Sequence, residues 1–341
     1  MTDAPVKITA HDVARLAGVS QSAVSRVFTP GASASKATIA KVRAAAEQLG
    51  YRPDPLARAM ITGRTRIIGL VVAYLENQFY PMALERLSRA LQGRGYHILV
   101  FMAENSTDKV AEVVQELIDY RVDGIITASV SMSNDLTARL LALGIPVVNF
   151  NRGQDDAGLT DITSDNVAGG RRATEFLIAG GHTRIAHVMG WQGSSTGRDR
   201  AEGFRQAMAA AGLDPVAMVD GMYARDTAAA VARTICEGGD RPDAIFVGND
   251  HMAFAVMDEL RFGLGLRLPD DISIVGYDDV PMAAWPAYDL TTIRQPVNRM
   301  VEATADAILG LIDGTAGPQK TRIDGPLMVR RSARIPAGWT P

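Results

Sequence analysis

A row of polar side chains near the start of the chain has the types and the spacing needed to contact the edges of DNA bases. The stretch SQSAVSR runs from Ser20 to Arg26, and helical periodicity turns its Val24 inward and its polar residues outward. Amide and hydroxyl groups can hydrogen-bond to base edges, and a guanidinium can reach a guanine or a phosphate. The outward residues are Gln21, Ser22, Ser25 and Arg26.

Two short helices joined by a tight turn are predicted to position this row. Thr9 is a suitable N-cap for the first helix, and Asp12 three residues later can complete a capping box. Gly18 supplies the turn, and Ser20 caps the second helix. The pattern predicts a helix-turn-helix unit, although an amphipathic hairpin in another small bundle has the same spacing. The predicted inward positions are Val13, Ala14, Leu16, Ala17, Val19, Val24 and Val27.

A third helix is predicted from about Ser35, and Gly50 ends it. Farther on, Pro55 can begin a helix, but the few residues behind it cannot hold one alone because helix nucleation is costly. By themselves these residues indicate a flexible linker. The apolar positions predicted to close a three-helix core are Ile39, Val42, Ala46 and Leu49.

Charge is divided unevenly along the chain. Residues 1–66 hold ten Lys or Arg against four acids, a net charge of +6, while the rest holds 25 against 34, a net charge of −9. A compact basic head on an acidic body indicates a polyanionic partner for the head alone. Membranes and acidic proteins also attract basic heads, but the helix-turn-helix spacing favours duplex DNA.

From Arg66 onward, apolar runs typical of buried strands alternate with helical stretches. The runs form two series: IIGLVVAY, HILVFMA, DGIIT and PVVNF, then RIAHVMG, DAIFVGN and ISIVGYDD. Buried strands that alternate with helices indicate parallel sheets covered on both faces. Two series predict two similar α/β lobes, and the last segment, from LTTIRQP to GPLMVRRS, would complete both sheets.

The composition argues against a membrane-embedded or disulfide-stabilised protein. Hydrophobic residues make up 47% of the chain and charged residues 21%, as in a globular protein. No apolar run reaches membrane-spanning length, and the N-terminus lacks the basic-then-apolar pattern of a signal peptide. Cys236 is the only cysteine, so neither an intrachain disulfide nor a cysteine metal cluster is possible. We therefore expect a cytoplasmic protein with no membrane partner.

The sequence carries no enzyme signature, and no cofactor is expected. GxxxxGK(S/T), GxSxG and HExxH are missing, and Gly263-Leu264-Gly265 lacks the third glycine of a dinucleotide fingerprint. His182 is expected to be a turn and packing residue, not a base or a metal ligand. The competing classes are a sugar-binding protein and a cleft hydrolase, each with a basic head. The missing signal peptide argues against transport, and the missing catalytic motifs argue against hydrolysis.

Short motifs follow one another in a fixed order along almost the whole chain. ITAHDVARLAGVSQSAVSRVF is followed by YRPDPLARAM and IIGLVV, then by FYP, VDGII, GIPVV, DN, GH, GF, ND, GYDD and LTTIRQP. This series resembles the lactose-repressor (LacI/GalR) family of bacterial transcription regulators. The resemblance implies a ligand-responsive, sequence-specific DNA-binding repressor. It also implies a small all-α helix-turn-helix head and an α/β two-lobed, periplasmic-binding-protein-like body with two doubly wound parallel sheets.

The resemblance further implies three parts: a head at 1–53, a hinge helix or linker at 54–65, and an effector-binding and dimerisation body at 66–341. Between its two lobes the chain would cross near Ser164, Leu290 and Arg322. No leucine-heptad tail of the kind that makes some members tetramers follows Trp339, so a homodimer is expected. The predicted lobes are about 66–163 with 291–321, and about 164–290 with 322–341.

Roles for the head and hinge also follow from the resemblance. Gln21 and Ser22 would contact base edges, and Arg26 a base or a phosphate. The hinge helix would order only when two chains pair on DNA and enter its minor groove. Many members have Asn where this chain has Asp54, and the usual intercalating Leu is replaced here by Met60. The expected DNA-binding residues are Lys7, Ser20, Gln21, Ser22, Ser25, Arg26, Ala57 and Met60.

Polar and aromatic side chains at predicted strand ends and helix starts are candidates for binding a ligand between the lobes. Arg200, Asn249 and Asp278 combine donors and acceptors that suit vicinal hydroxyls or a polar ring, and the matching residues contact effector in the family. Local capping, or packing for the aromatic residues, is the alternative role. We expect a sugar, sugar acid or polyol as effector, with a purine as the alternative. The expected effector-binding residues are Phe79, Tyr80, Asn151, Thr196, Arg200, Tyr223, Asn249 and Asp278, with Trp191 and Trp285 as further candidates.

Overall fold

The chain divides into two compact units, Met1–Arg66 and Ile67–Pro341, which we call the head and the body. The computed structural model describes residues 8–29, 32–52, 63–103, 107–130, 132–154 and 158–338.

Capped helices build the head. The backbone N–H and the hydroxyl of Thr9 both donate to Oδ2 of Asp12, at 3.0 and 2.7 Å, which closes the predicted capping box. Gly18 ends the first helix with a φ of +64°, and Ser20 caps the second by accepting from the N–H of Ala23 at 3.2 Å. The predicted helix-turn-helix is confirmed. The helices are α1 Ala10–Ala17, α2 Gln21–Phe28 and α3 Lys36–Leu49.

A small apolar core joins the three helices of the head. Val13, Val24 and Val42 are almost fully buried at its centre. The prediction that Leu16 faces this core is wrong, because its side chain is 47% exposed. Helix α1 has only eight residues, and Val13, Ala14 and Ala17 form the face that packs against α2 and α3. Leu16 lies outside that face.

Strands and helices alternate along the body, as the sequence predicts. The strands are β1 Ile67–Val72, β2 His97–Met102, β3 Gly124–Ala128, β4 Val147–Phe150, β5 Thr160–Ser164, β6 Ile185–Met189, β7 Ala217–Asp220, β8 Ala244–Val247, β9 Ser273–Asp278, β10 Thr291–Arg294, β11 Lys320–Ile323 and β12 Leu327–Met328. The helices are α4 Phe79–Gly93, α5 Thr107–Asp119, α6 Asn134–Ala142, α7 Asn166–Ala179, α8 Ser195–Ala210, α9 Arg225–Glu237, α10 Asp250–Asp258 and α11 Val297–Ile312.

The strands of the body form two six-stranded sheets. The first has the order β11-β5-β4-β3-β1-β2 and the second the order β12-β10-β9-β8-β6-β7. All paired strands are parallel except β12, whose Leu327 lies opposite Ile293 in an antiparallel pair. Parallel neighbours need crossover helices, and these cover both faces of each sheet. The predicted two-lobed α/β body is confirmed, and we call the parts built on the two sheets the first lobe and the second lobe.

Helices pack closely on opposite faces of the first sheet at two glycines. A Cβ at Gly69 in β1 would lie 2.7 Å from a methyl carbon of Leu117 in α5. On the other face, a Cβ at Gly124 in β3 would lie 2.9 Å from Ile308 in α11. Only glycine therefore allows both helices to reach the sheet at these positions. Among the helices that the structure describes, none is long and apolar enough to span a membrane.

The chain passes between the lobes at three places. The first passage follows Ser164 at the end of β5, and the third follows Ile323 at the end of β11. The second comes later than the predicted position near Leu290. Residues 291–294 still pair with β9 in the second sheet, with Arg294 opposite Asp278, and the chain enters the first lobe only with α11. The LTTIR run is apolar enough for either sheet, so the sequence alone could not place it.

Candidate functional site

The candidate DNA-contacting side chains of α2 lie on its outward face. Gln21, Ser22 and Arg26 are exposed, and Ser25 is half-buried. The hydroxyls of Ser20 and Ser22 lie 2.9 Å apart, and Arg26 Nε donates to the Ser22 carbonyl oxygen at 3.4 Å. All of these bonds are local to the helix. Base edges or phosphates could therefore replace them without disturbing the core of the head.

Much of the predicted hinge lies outside the described residues. So do Lys7, Asp54, Ala57 and Met60. Their expected contacts with phosphates and with the minor groove therefore rest on the sequence.

All of the predicted effector-binding side chains are buried in the body. They lie at the carboxyl ends of strands or at the starts of helices, where parallel sheets bind ligands. Asn151, Tyr223 and Asp278 also have positive φ angles, of 71°, 56° and 130°. Non-glycine residues adopt such angles only where the surroundings enforce them, often at functional sites. The buried set is Phe79, Tyr80, Asn151, Thr196, Arg200, Tyr223, Asn249 and Asp278.

Arg200 on α8 is the centre of the polar network in the second lobe. Its Nε donates to Asn166 Oδ1 at 2.8 Å, and its Nη1 donates to the Gly248 carbonyl oxygen at 2.6 Å. The guanidinium lies 3.7 Å from the centre of the Tyr277 ring, and its Nη2 lies 3.7 Å from Asp278 Oδ1. These contacts fix one edge of Arg200 and turn the other toward Asp278.

Asp278 connects the two lobes. Asn77, which follows β1 in the first lobe, donates to its Oδ2 at 3.2 Å, and Gln295 donates to its Oδ1 at 2.7 Å. Burial raises the pKa of Asp278, while Arg200, Gln295 and Asn77 act in the opposite direction. Neither Asn77 nor Gln295 was among the predicted site residues. Asn77 lies two residues before Phe79 and Gln295 directly follows β10, and in the sequence both are visible only as loop positions.

A second buried acid, Asp250, begins α10 beside this network. Its Oδ1 accepts from the Thr292 hydroxyl at 2.6 Å and its Oδ2 from the N–H of Val280 at 3.0 Å. Burial and the nearby Asp278 raise the pKa of Asp250 to about 8, against the effect of its two hydrogen bonds. Asp250 therefore ties α10 to β10 and to the loop that follows β9.

Four of the expected effector-binding residues form two hydrogen-bonded pairs. Asn151 Nδ2 donates to the Tyr80 hydroxyl at 3.2 Å in the first lobe, and the Tyr223 hydroxyl donates to Thr196 Oγ1 at 3.0 Å in the second. Asn151 Oδ1 is buried and has no hydrogen-bond partner. An unused buried acceptor is suited to a donor from a ligand.

Two other expected residues have evident local roles. Phe79 is completely buried and stacks on Phe150, with ring centres 6.1 Å apart. Asn249 caps α10 by accepting from the N–H of Met252 at 2.9 Å. Packing and capping account for these contacts, so ligand binding by Phe79 and Asn249 remains a prediction.

A cavity of about 660 Å³ opens between the ends of strands from both lobes. Arg152, which was not among the predicted site residues, forms part of its wall. It donates from Nη1 to the Ser129 carbonyl oxygen at 2.7 Å and from Nη2 to the Tyr74 hydroxyl at 3.2 Å. Its position next to Asn151 at the end of β4 is the only signal in the sequence. The cavity is lined by Tyr74, Glu76, Arg152, Trp191, Met222, Tyr223, Ala224, Arg225, Asp226 and His251.

The two remaining candidates for effector binding, both tryptophans, lie in different surroundings. Trp191 lines the cavity, whereas Trp285 is 52% exposed and is not part of its wall. His182 is buried beside Asp243, and burial lowers its pKa. Within the described ranges, no three His, Cys, Asp or Glu residues are grouped so that they could hold a metal ion.

Sequence comparison assigns both parts of the chain to known domain types. Residues 9–54 match the family described as bacterial regulatory proteins, lacI family, and residues 174–333 match the periplasmic binding protein-like domain. The chain is 35% identical over 332 residues to the Ribose operon repressor of Escherichia coli (strain K12), across 95% of this chain and 99% of that repressor. It is 34% identical over 308 residues to the HTH-type transcriptional repressor PurR of Vibrio vulnificus (strain CMCP6), across 88% of this chain and 91% of that protein.

Solved structures with the same fold include DNA-bound and sugar-bound proteins. The Lac repressor dimer bound to operator and the anti-inducer ONPF superposes with a TM-score of 0.86 at 27% identity, across 95% of this chain and 98% of that one. The complex of the transcriptional regulator CelR with cellobiose superposes with a TM-score of 0.73 at 31% identity, across 96% of this chain and all of that one.

Proposed function

The chain belongs to the lacI family of bacterial regulatory proteins, and we propose from this that it is a repressor whose affinity for operator DNA is controlled by a small ligand. One observation carries the proposal. The same chain has exposed side chains on α2 that can hydrogen-bond to base edges, and a buried polar cleft between two lobes. It acts in the cytoplasm and is not an enzyme.

The head binds duplex DNA as part of a homodimer. Gln21 and Ser22 contact base edges, Arg26 contacts a base or a phosphate, and Ser20 and Lys7 contact phosphates, with Ser25 on the same face of α2. Because a dimer has twofold symmetry, the operator is a pseudo-palindrome of about 14–20 base pairs.

Selection from random duplex DNA tests this part of the proposal directly. Wild-type protein should enrich a palindromic motif, and a gel-shift assay on the region upstream of its own gene should give a salt-sensitive complex. Arg15→Ala, on the exposed side of α1, is a control that should enrich the same motif. Selection that returns no palindrome would contradict sequence-specific binding by a dimer.

The hinge segment around Ala57 and Met60 enters the minor groove. Met is apolar and adaptable enough to wedge between bases and kink the duplex, at an unstacking cost of a few kcal/mol. Met60→Ala should then weaken operator binding and reduce DNA bending while ligand binding is unchanged. Equal bending and affinity in the variant would show that Asp54 and Met60 give this hinge a different mode of binding.

The ligand is a small sugar or sugar derivative, with a purine as the alternative. The mixed donors and acceptors of Asn151, Arg200 and Asp278, beside the aromatic faces of Tyr80 and Tyr223, suit a pyranose, which has polar edges and apolar faces. The names of the CelR–cellobiose complex and the Ribose operon repressor support the sugar, and that of PurR supports the alternative.

Ligand binding acts by closing the cleft. Asn77 of the first lobe already reaches Asp278 of the second, so a ligand held by both lobes binds the closed state more tightly. That difference in affinity is what shifts the population of states. In the dimer, closure then changes how the two hinge segments present the heads to DNA.

A thermal-shift screen of sugars, sugar acids, polyols and nucleobases would identify the ligand. A compound at 100 times its Kd adds about 2.7 kcal/mol of apparent stability. With that compound, the ratio of operator affinities with and without ligand should depart from one in wild type and return to one in Asp278→Ala. A normal ligand response in Asp278→Ala would remove Asp278 from the site.

A further inference from the structure

One guanidinium in the wall of the cavity is buried, and no carboxylate of the described residues pairs with it. Arg152 is only 5% exposed. Its Nη1 and Nη2 atoms donate to neutral oxygens, the carbonyl of Ser129 and the hydroxyl of Tyr74. Its Nε is buried and has no hydrogen-bond partner. Among the described residues, no carboxylate forms an ion pair with it.

Arg200, also buried in the cleft, shows a buried guanidinium whose charge is compensated. Arg200 has Asp278 beside it and hydrogen bonds on Nε and Nη1. Within the part of the chain that the structure describes, Arg152 has no carboxylate beside it and no hydrogen bond at Nε. Burying an uncompensated charge is strongly unfavourable for folding. Keeping one in a ligand cavity indicates that the compensating charge comes with the ligand.

The aromatic surroundings of Arg152 do not supply that charge. The guanidinium carbon lies 5.6 Å from the centre of the Tyr223 ring and 5.9 Å from that of Trp191. A cation over an aromatic face gains a modest attraction but no hydrogen bond. The two rings do offer flat apolar surfaces of the kind on which a sugar ring packs.

The rim of the cavity gives no alternative partner for the buried guanidinium. Glu76 and Asp226 line the cavity, but so do Arg225 and His251, and no ion pair joins Arg152 to either acid. Arg225 is itself used, since it donates to the His251 carbonyl oxygen and lies 3.8 Å from Asp258. Charge at the rim is therefore mixed, while no described acid of the rim pairs with Arg152.

We propose that Arg152 binds an anionic group of the effector, which is thus a sugar acid or a sugar phosphate and not a neutral sugar. This inference rests on the proposed function, because it names the ligand of that same cleft. Nε and an adjacent Nη of arginine form the edge that a carboxylate or a phosphate grips with two parallel hydrogen bonds. A volume of about 660 Å³ accommodates a monosaccharide with such a group.

Matched ligand sets test the proposal. Each set contains a neutral sugar, its acid and its phosphate: D-ribose, D-ribonate and D-ribose 5-phosphate; D-glucose, D-glucuronate and D-glucose 6-phosphate. Thermal shift and calorimetry on the full-length protein should show that an anionic member binds more tightly than its neutral parent, by about 10- to 100-fold. Which anionic member binds decides between carboxylate and phosphate. If no acid or phosphate binds more tightly than its parent, the proposal is wrong.

Variants of Arg152 connect the preference to the residue. Arg152→Met should abolish the preference for the anionic ligand, and Arg152→Lys should keep part of it because the charge remains without the two-pronged edge. Without ligand, Arg152→Met should raise the Tm of the body, since an uncompensated buried charge is removed. Arg89→Met, an exposed arginine paired with Glu85, is the control and should change neither quantity.

Two further results would overturn the proposal or separate it from the proposed function. A lower Tm for ligand-free Arg152→Met, together with an unchanged preference for the anion, would show that Arg152 only packs the cleft wall. Operator binding by wild-type protein is measured in parallel. If a neutral sugar or a purine changes operator affinity and no anion does, the ligand-controlled repressor stands and only the anionic ligand falls.

Discussion

Helix α2 of the head and the cleft of the body place similar polar side chains in opposite surroundings. On α2, Gln21 and Arg26 are exposed, and Arg26 donates only to the carbonyl of Ser22, four residues away. In the cleft, Arg200 and Asp278 are each 2% exposed, and their partners come from distant segments. The first set keeps its donors and acceptors available, while the second is already engaged.

This difference determines how each region recognises its partner. A duplex is large and charged, so exposed groups on a rigid helix can meet it without rearrangement. On the proposed function, a small ligand has to replace bonds inside a closed network, so we expect it to change the relation between the lobes as it binds. Changes on α2 should affect DNA binding with little effect on stability, and changes in the cleft should affect stability and the ligand response together.

The largest expected effect is on the buried pair of the cleft. Arg200→Met leaves Asp278 buried beside an apolar side chain, which should lower the free energy of unfolding of the body by about 3–5 kcal/mol. Urea denaturation followed by circular dichroism measures the change. Arg205→Met, half-exposed on the same helix, should cost no more than about 0.5 kcal/mol. An equal loss in the free energy of unfolding for the two variants would show that burial of the pair of Arg200 and Asp278 is unimportant.

The next largest effect should appear in DNA recognition alone. Gln21→Ala should reduce discrimination at one base position of each half-site by roughly 1–3 kcal/mol because the amide contact with a base edge is lost. Binding to a library of single-base operator variants measures it, with Arg15→Ala as the control. The Tm of the body should be unchanged. Discrimination equal to that of wild type at every position would place Gln21 outside the base contacts.

A dependence of stability on pH should distinguish the cleft from the head. Since burial raises the pKa of Asp250 to about 8, the folded protein holds a proton that the unfolded chain loses near its ordinary pKa of about 4. The free energy of unfolding should therefore fall as the pH rises from about 4 to 8, by up to about 1.4 kcal/mol per pH unit for this group.

Asp250→Asn removes this ionisation and keeps a side chain of the same shape, so the fall in stability should become shallower. Urea denaturation at several pH values measures the slope for wild type, for the variant and for Asp270→Asn, an exposed acid on the turn before β9. The slope of Asp270→Asn should match that of wild type. An unchanged slope in Asp250→Asn would assign the pH dependence to other groups.

The smallest effect concerns the local bonds of the head. Ser20→Ala removes the N-cap of α2 and should lower the stability of the head by about 1 kcal/mol. Hydrogen exchange of head amides without DNA measures the change, and Ser22→Ala, which removes an exposed hydroxyl that caps nothing, should alter it by less than half as much. If protection is lost equally in both variants, the loss of capping by Ser20 does not account for the loss of stability.

Most of the fold follows from the sequence because its signals are local. Capping residues, a turn glycine and apolar periodicity predict the helix-turn-helix, and alternating strands and helices predict the two sheets. The failures are also local. Leu16 has the hydrophobicity of a core residue on a helix too short to bury it, and β5 and β11 escape notice because TDITS and KTRI are mostly polar.

The sequence also indicates which residue types would be in the cleft, since strand ends in α/β proteins are predictable positions. It does not indicate which of them are in contact. The bond from Asn77 to Asp278 joins residues 201 positions apart, and the bond from Arg200 to Gly248 joins residues 48 apart. No periodicity encodes such pairs, because the first depends on how the two lobes are placed and the second on how α8 packs beside the end of β8.

What the sequence determined by itself is therefore the chemistry that acts locally: the head, its outward polar row and the α/β order of the body. Tertiary structure alone decided which charges are compensated. Arg152 and Arg200 look alike in sequence, each at a predicted strand end or helix start. Among the described residues, Arg200 has a carboxylate beside it and Arg152 has none. The reason is physical, since the energy of a buried charge depends on every group around it, and those groups come together only when the chain has folded.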